Sequence, residues 1–504
     1  MPGSRYLVPK YKTKHNMQED PASVFSQPEF KASLAKYEQM IQDGIHVYFE
    51  AEELTLIAEY YANAGDMKSS EEAIDYAISL HPENLDVQIY KCHTLFSHKK
   101  IQEAQQLLYS LPDQNDYEVR LLYTELALIQ GDAEKAKRLF EQCYEENPYI
   151  ETLFDIGQLY LDYRMKNEAY PWILKAFKQE PENPEAIELM ASFQYMSENW
   201  PEAEKLYNRL LDEFPYNIDT WLNLSKCHYQ QGQIEQAIEA LDFALAIDDT
   251  SLFARELKAH CYLDLGESEK ALQCLGYIES HTKDKPYIWD ILTRVHFELG
   301  NYEEVLEYSN KLLAQGDLPK ESDKTGDIYF LRIMAYMFTG GVVDATMTLR
   351  DWFRIDTEDY RAYILEGELL MQLEKYEDAR DFFTHAIKIC PDPKAAFTYI
   401  ATVFFRNSFF QEALDIYQEL EAYNPSDTEH FSYSMAYCHF RLNHKEEMLM
   451  YLVRGSVYTP EVMKGQGPDF DLGYDEIFFR LGADILHKIE QGEIDPTPFL
   501  NKKA

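Results

Sequence analysis

The sequence predicts an all-α, right-handed superhelical solenoid of about twelve helix-turn-helix units, closed by a C-terminal capping helix. Three observations predict it. A small residue returns at Ala104, Ala136, Ala169, Ala203, Ala237, Ala271, Val305, Ala345, Ala379 and Ala413, with gaps of 32, 33, 34, 34, 34, 34, 40, 34 and 34 residues. A second small position runs through Ala58, Cys92, Thr124, Gly157, Ala191, Ser225, Ala259, Thr293, Gly367, Ala401 and Ala436. Closely crossing helices need small side chains where their backbones approach. Proline recurs at Pro82, Pro148, Pro181, Pro215, Pro391, Pro425 and Pro460, where a second helix must stop, because proline cannot continue a helix interior.

Residues 1–27 read as a flexible basic tail, in which Arg5, Lys10, Lys12 and Lys14 precede the first acid, Glu19. Segment 28–50 carries a leading helix near Phe30 to Gln42. Units 1–8 fill 51–314, and the unit from Ile218 shows their logic. Trp221, Leu224, Ser225 and His228 lie at helical spacing, Gly232 interrupts, and Ile234, Ala237, Leu241 and Ala244 open a second apolar stripe. The 40-residue gap marks an inserted loop at 315–327, a candidate bend between two sub-arrays. Units 9–12 fill 328–462. The remainder, 463–504, holds a glycine-containing turn, an amphipathic helix from about Asp475 to Glu490 and a tail. A terminal helix of this sort covers the open end of a solenoid.

This pattern resembles the tetratricopeptide repeat family, on residues such as Trp221, Leu224, Ser225, Gly232, Ala237, Leu241 and Ala244, and again Trp289, Leu292, Gly300, Tyr302 and Tyr308. Units begin near Ala51, Leu85, Tyr117, Ile150, Pro184, Ile218, Leu252, Pro286, Gly326, Tyr360, Lys394 and Glu429. The resemblance implies a non-catalytic scaffold or adaptor that docks a partner segment in a concave groove. The alternative is a regulatory or recruiting subunit of a multiprotein enzyme complex.

With 88 acidic and 47 basic residues the formal charge is −41. Nucleic-acid affinity rests on Lys and Arg at phosphates, so no nucleic-acid partner is expected. The acids are either a solubilising coat or a surface for a basic partner. Cys92, Cys143, Cys227, Cys261, Cys274, Cys390 and Cys438 form no CxxC and no dense disulfide framework, which fits a reducing, cytoplasmic setting. No run of ~18 apolar residues is present and the N-terminal residues lack an apolar signal core, so no membrane insertion is expected.

Cys and His sit side by side at Cys92/His93, Cys227/His228, His260/Cys261 and Cys438/His439. Adjacent helical residues point in different directions, and zinc needs four converging ligands. The run Asp469, Asp471, Gly473 and Asp475 lacks calcium-loop spacing and reads as a turn. No nucleotide, metalloprotease or hydrolase motif occurs, so no cofactor, metal or catalytic residue is expected.

The resemblance further implies that the first helix of each unit lines the groove, with its second, fifth, ninth, twelfth and thirteenth positions toward the ligand. In the first five units these include Glu52, Glu59, Asp86, Glu118, Glu125, Glu151, Asp162, Glu185 and Glu188, and none is Lys or Arg. This half is expected to attract a basic segment, either a partner's or the chain's own tail. In the last four units they are Phe330, Phe338, Arg361, Met371, Phe405, Arg406, Tyr433, Tyr437, Phe440 and Arg441. Met and aromatic groups there offer adaptable apolar surface, and Arg can pair a carboxylate. Family members that grip acidic chaperone tails carry Asn at the ninth position. Here that position reads Glu59, His93, Glu125, Gln158, Ser192 and Lys226 in the first six units, which argues against that clamp.

Overall fold

A computed structural model describes residues 24–25, 27–63, 66–282, 285–314, 322–423, 431–463 and 474–500. Its ordered elements are helices, with no strand among the described residues. The chain divides into two compact bodies, Met1–Asp284 and Lys285–Ala504.

The first body opens with α1 (Pro28–Asp43) and continues as A/B pairs: α2 (Ala51–Asn63) with α3 (Met67–Leu80), α4 (Leu85–Ser97) with α5 (Ile101–Ser110), α6 (Tyr117–Ile129) with α7 (Ala133–Glu146), and α8 (Ile150–Asp162) with α9 (Lys166–Gln179). It ends with α10 (Pro184–Met196) and α11 (Trp200–Glu213), α12 (Ile218–Gln230) and α13 (Ile234–Ile247), and α14 (Leu252–Asp264) and α15 (Ser268–His281). The second body holds α16 (Lys285–Glu298) with α17 (Tyr302–Ala314), α18 (Ser322–Phe338) with α19 (Val342–Ile355), α20 (Tyr360–Gln372) with α21 (Tyr376–Ile389), α22 (Pro393–Arg406) with α23 (Phe410–Tyr423), and α24 (Ser432–Arg441) with α25 (Lys445–Tyr458). It closes with α26 (Pro460–Met463), α27 (Glu476–Glu490) and α28 (Thr497–Leu500). Within each body every A helix packs on its own B helix, and each B helix packs on the next A helix, which makes both bodies all-α solenoids.

Local chemistry starts and stops these helices. Asn84, Asp116, Asn183, Asn217, Ser251, Asp359 and Asp392 cap A helices by accepting from backbone N–H groups of the first turn, which satisfies donors the helix leaves unpaired. The A-to-B turn needs one left-handed residue. Gly131, Gly232, Gly266, Gly300 and Gly340 supply it with φ of 71–81°, while Lys99, Arg164, Glu198, Glu374, Ser408 and Asn443 are held at 58–66°.

The small positions lie at the helix crossings. Ala104, Ala136, Ala169, Ala203, Ala237 and Ala271 are fully buried, as are Val305, Ala345 and Ala413. A Cβ on Gly157 would lie 2.9 Å from Ile173 Cγ1, and one on Gly367 would fall against the Phe383 ring. Core clusters therefore run along each body between neighbouring pairs, for example Phe140, Leu153, Tyr160 and Ile173 in the first.

The ends are closed by the chain itself. Phe30, Tyr37 and Met40 of α1 pack on the core of the first pair. Helix α27 packs on α25 and α26, burying Phe478 and Leu486.

Two differences from expectation concern the 40-residue gap. Residues 322–327, read as part of a loop, are the opening turns of the 17-residue helix α18. The bodies divide between Asp284 and Lys285, not at the insertion. The reason is packing: α18 lies against α17, so the core of the second body continues across the insertion. Residues 315–321 of the expected loop lie outside the described residues, as do tail residues 1–23 and Asp469, Asp471 and Gly473. Asp475 is the N-cap of α27, accepting from Phe478 N at 3.0 Å.

Candidate functional site

In the first body the predicted acids sit on successive A helices in three environments. Glu52, Asp86 and Glu151 are exposed, each at the second residue of its helix. Glu118, Asp162, Glu185 and Glu188 are half-buried, and Asp162 accepts from Gln158 Nε2 at 2.7 Å. Glu59 is half-buried, and burial pushes its carboxyl up to about 7. Glu125 is buried and belongs to the fold: His93 Nδ1 lies 2.9 Å from it, and Tyr163 Oη donates to it at 2.9 Å. Burial and that carboxylate together raise the Tyr163 phenol above its ordinary range. Glu52, Asp86 and Glu151 are the predicted acids with the most accessible surface. Glu125 is committed to joining three consecutive A-helix segments.

In the second body the predicted contacts are drawn largely into the chain's own structure. Phe405, Tyr433, Tyr437 and Met371 are buried. Tyr437 is ringed by Phe405 at 5.4 Å, Phe410 at 5.7 Å, Tyr474 at 5.2 Å and Phe478 at 5.0 Å between centroids. Half-buried Phe440 lies 5.6 Å from Phe478. Tyr433 Oη donates to Ser456 Oγ at 3.2 Å. Tyr474 and α27 thus cover Phe405, Tyr437 and Phe440, because that much apolar area at an open solenoid end must be buried by something.

The arginines are engaged in the same way. Arg361 forms ion pairs with Asp327, at 2.5 Å, and Asp359, at 2.6 Å, and Asp327 also takes Arg294 at 3.1 Å. Gly326 makes this possible, since a Cβ there would lie 2.6 Å from Arg361 Nη2. Arg406 pairs with buried Glu368 at 2.7 Å, and Asn407 Nδ2 donates to the same carboxylate at 3.2 Å. Asp327, Asp359 and Glu368 were not singled out from sequence. Their signal was present in Asp359 as an N-cap and in Glu368 at a ninth position. Two predicted contacts are exposed, Arg441, over Phe410 at 4.7 Å, and Phe338, 47% exposed and stacked on Tyr302 at 4.7 Å; Phe330, 5.7 Å from Tyr399, is half-buried, as are Arg361, Arg406 and Phe440.

All seven cysteines are unpaired and six are buried. Burial raises Cys92, Cys227 and Cys438 to about 12 and Cys261 to about 11, which leaves them neutral and unreactive at physiological pH. Among the described residues no three His, Cys, Asp or Glu side chains converge as metal ligands, and no helix is long and apolar enough to cross a membrane.

Residues 196–278 match the family model for anaphase-promoting complex, cyclosome, subunit 3, and residues 360–393 match the tetratricopeptide repeat model. Over 376 residues the chain is 21% identical to anaphase-promoting complex subunit 7 of Dictyostelium discoideum, covering 72% of this chain and 57% of that protein. It is 20% identical over 385 residues to TPR repeat-containing protein MJ1428 of Methanocaldococcus jannaschii, covering 70% of this chain and 66% of that one. The matches therefore span less than two thirds of either relative. Among solved structures, the APC/C hetero-tetramer Cut9–Hcn1 aligns with 96% of this chain and 95% of its own at 14% identity and a TM-score of 0.35. Residues 360–393 are thus matched by the tetratricopeptide repeat model itself, and the neighbouring helix pairs are built on the same small-residue crossings.

Proposed function

We propose that this chain is a non-catalytic protein-interaction scaffold that docks a basic segment of a partner along the A helices of its first body. The observation that carries the reading is the exposure of Glu52, Asp86 and Glu151 at one repeat position of three A helices, set against the engagement of the second body's aromatic and Arg groups within the chain. Single exposed ion pairs contribute little, so binding would be shared over several acids and weakened by salt. The protein would work in a reducing cytoplasm, a reading supported by its unpaired, buried thiols.

The test is affinity purification from the native cell with mass spectrometry, comparing the wild-type chain with Glu52→Lys/Asp86→Lys/Glu151→Lys after circular dichroism has shown equal helicity. A partner lost from the triple variant, and from the wild type at high salt, is the expected result. An unchanged set of partners would remove the acidic face from consideration. A second reading, a subunit of a multiprotein enzyme complex, is favoured by the length of the match to anaphase-promoting complex subunit 7. It requires stoichiometric partners that stay with the chain through gel filtration.

A further inference from the structure

In four units, among the described residues, the last turn of the A helix is tied by a side-chain hydrogen bond to the residue just before the B helix. Asn199 Nδ2 donates to Gln194 Oε1 at 2.9 Å, His228 Nδ1 to Gln233 Oε1 at 2.8 Å, and Asn301 Nδ2 to His296 Nδ1 at 3.2 Å. In the last unit both partners are imidazoles, and His439 Nδ1 lies 3.2 Å from His444 Nδ1. An amide carries both donor and acceptor and does not titrate, so it serves an imidazole in either protonation state. A second imidazole serves only while one of the two is neutral, because two imidazolium rings set N–H against N–H and charge against like charge.

His439 is placed to resist charging. It is 4% exposed, its ring stacks on Tyr451 of α25 at 5.5 Å, and its Nε2 is buried with no hydrogen-bond partner among the described residues. In the charged form that nitrogen is a donor without an acceptor. Burial, and then His444, hold the imidazole below its ordinary 6.5, and Glu447 of α25 opposes them with a smaller effect. Around the pair, Glu421 of α23 accepts from Tyr451 Oη at 2.6 Å and pairs with Arg454 at 2.7 Å. Asp475, before α27, accepts from Tyr437 Oη at 3.4 Å, Arg441 lies over Phe410, and burial keeps the Cys438 thiol neutral. We propose that the His439–His444 pair is a proton-sensitive latch that holds the last repeat, and with it the C-terminal cap, closed at neutral pH and releases them on acidification. Phe440, next in the chain to His439, lies 5.6 Å from Phe478 of α27, and α27 packs on α25, so opening this turn unseats the cap. The folded state binds the His439 proton less tightly than the unfolded state, so the latch is fully closed above 6.5 and weakens as the pH falls below it. It is independent of docking on the first body, since both imidazoles belong to the second.

Amide hydrogen exchange on the full chain, read by mass spectrometry at about pH 8 and about pH 5 and corrected for intrinsic rates, tests it. Protection of α24, α25 and α27 is expected to fall by about tenfold at the lower pH, the factor that one unit of pKa shift supplies. Helices α10 and α11, joined by the Gln194–Asn199 pair, should hold theirs. His444→Gln places the amide of Gln233 at an exposed position whose side chain makes no capping bond, and should lose most of the fall. His439→Gln/His444→Asn, which copies Gln194 and Asn199, should lose all of it; if that double variant does not fold, His444→Gln decides alone. Equal protection of α24, α25 and α27 at both pH values overturns the proposal. So does an equal fall in α10 and α11, or a fall that His444→Gln leaves undiminished.

Discussion

Glu374 sits at φ 61°, in the left-handed region that the described A-to-B turns use. A side chain in that region costs ~1–2 kcal/mol relative to glycine, because Cβ crowds the following carbonyl oxygen. Glycine gives part of this back through the entropy of the unfolded chain. Glu374 is exposed, so little packing is lost with it. Glu374→Gly should therefore stabilise the chain by about 0.5–1 kcal/mol in denaturant unfolding, and a loss of stability would show that its contacts outweigh the strain. Glu59 carries a different cost. Its folded carboxyl titrates near 7 against an ordinary 4.5, so the folded state holds the proton more tightly than the unfolded state. Its contribution is fully present below 4.5 and is lost as the pH rises through about 7. Glu59→Gln should raise the melting temperature at pH 8, with the gain shrinking toward pH 4.5; equal gains at both would mean that the charge is not the cause.

At the scale of elements, the cap decides what the second body presents. Phe478 is fully buried and meets Tyr437, Phe440 and Tyr474. Phe→Ala in a packed core costs ~3–5 kcal/mol. In a solenoid each repeat is held by its neighbours, so loss at an end is felt there first. Phe478→Ala should raise amide hydrogen exchange in α24 and α25 while leaving α20 and α21 near wild type. A uniform rise across the second body would mean that it unfolds as a single cooperative unit. Among the described residues nothing comparable covers Glu52, Asp86 and Glu151 on the A helices of the first body, and the docking we propose rests on that exposure.

At the scale of the whole molecule, the repeat was written in the sequence because its cause is local. A helix crossing admits only a small side chain, so Ala104 through Ala413 recur where B helices cross A helices, and the A helices begin at Ala51, Leu85, Tyr117, Ile150, Pro184, Ile218, Leu252 and Tyr360, where the spacing opens units. The pairing of groups far apart in the chain was not written there. Tyr437 and Phe478 are 41 positions apart, and Arg361 and Asp327 are 34 apart. Composition cannot say whether an aromatic residue at a groove position meets a partner or the chain's own cap. Arg164, Glu374 and Ser408 likewise carry no mark of the left-handed turn that their neighbours force on them. The sequence by itself determined the repeat, its period and where most A helices begin, though not the start of α18, because period and steric fit act over one or two turns of chain. Only the tertiary structure decided which of the singled-out A-helix residues are buried and which are exposed, because burial depends on which segment returns to cover them.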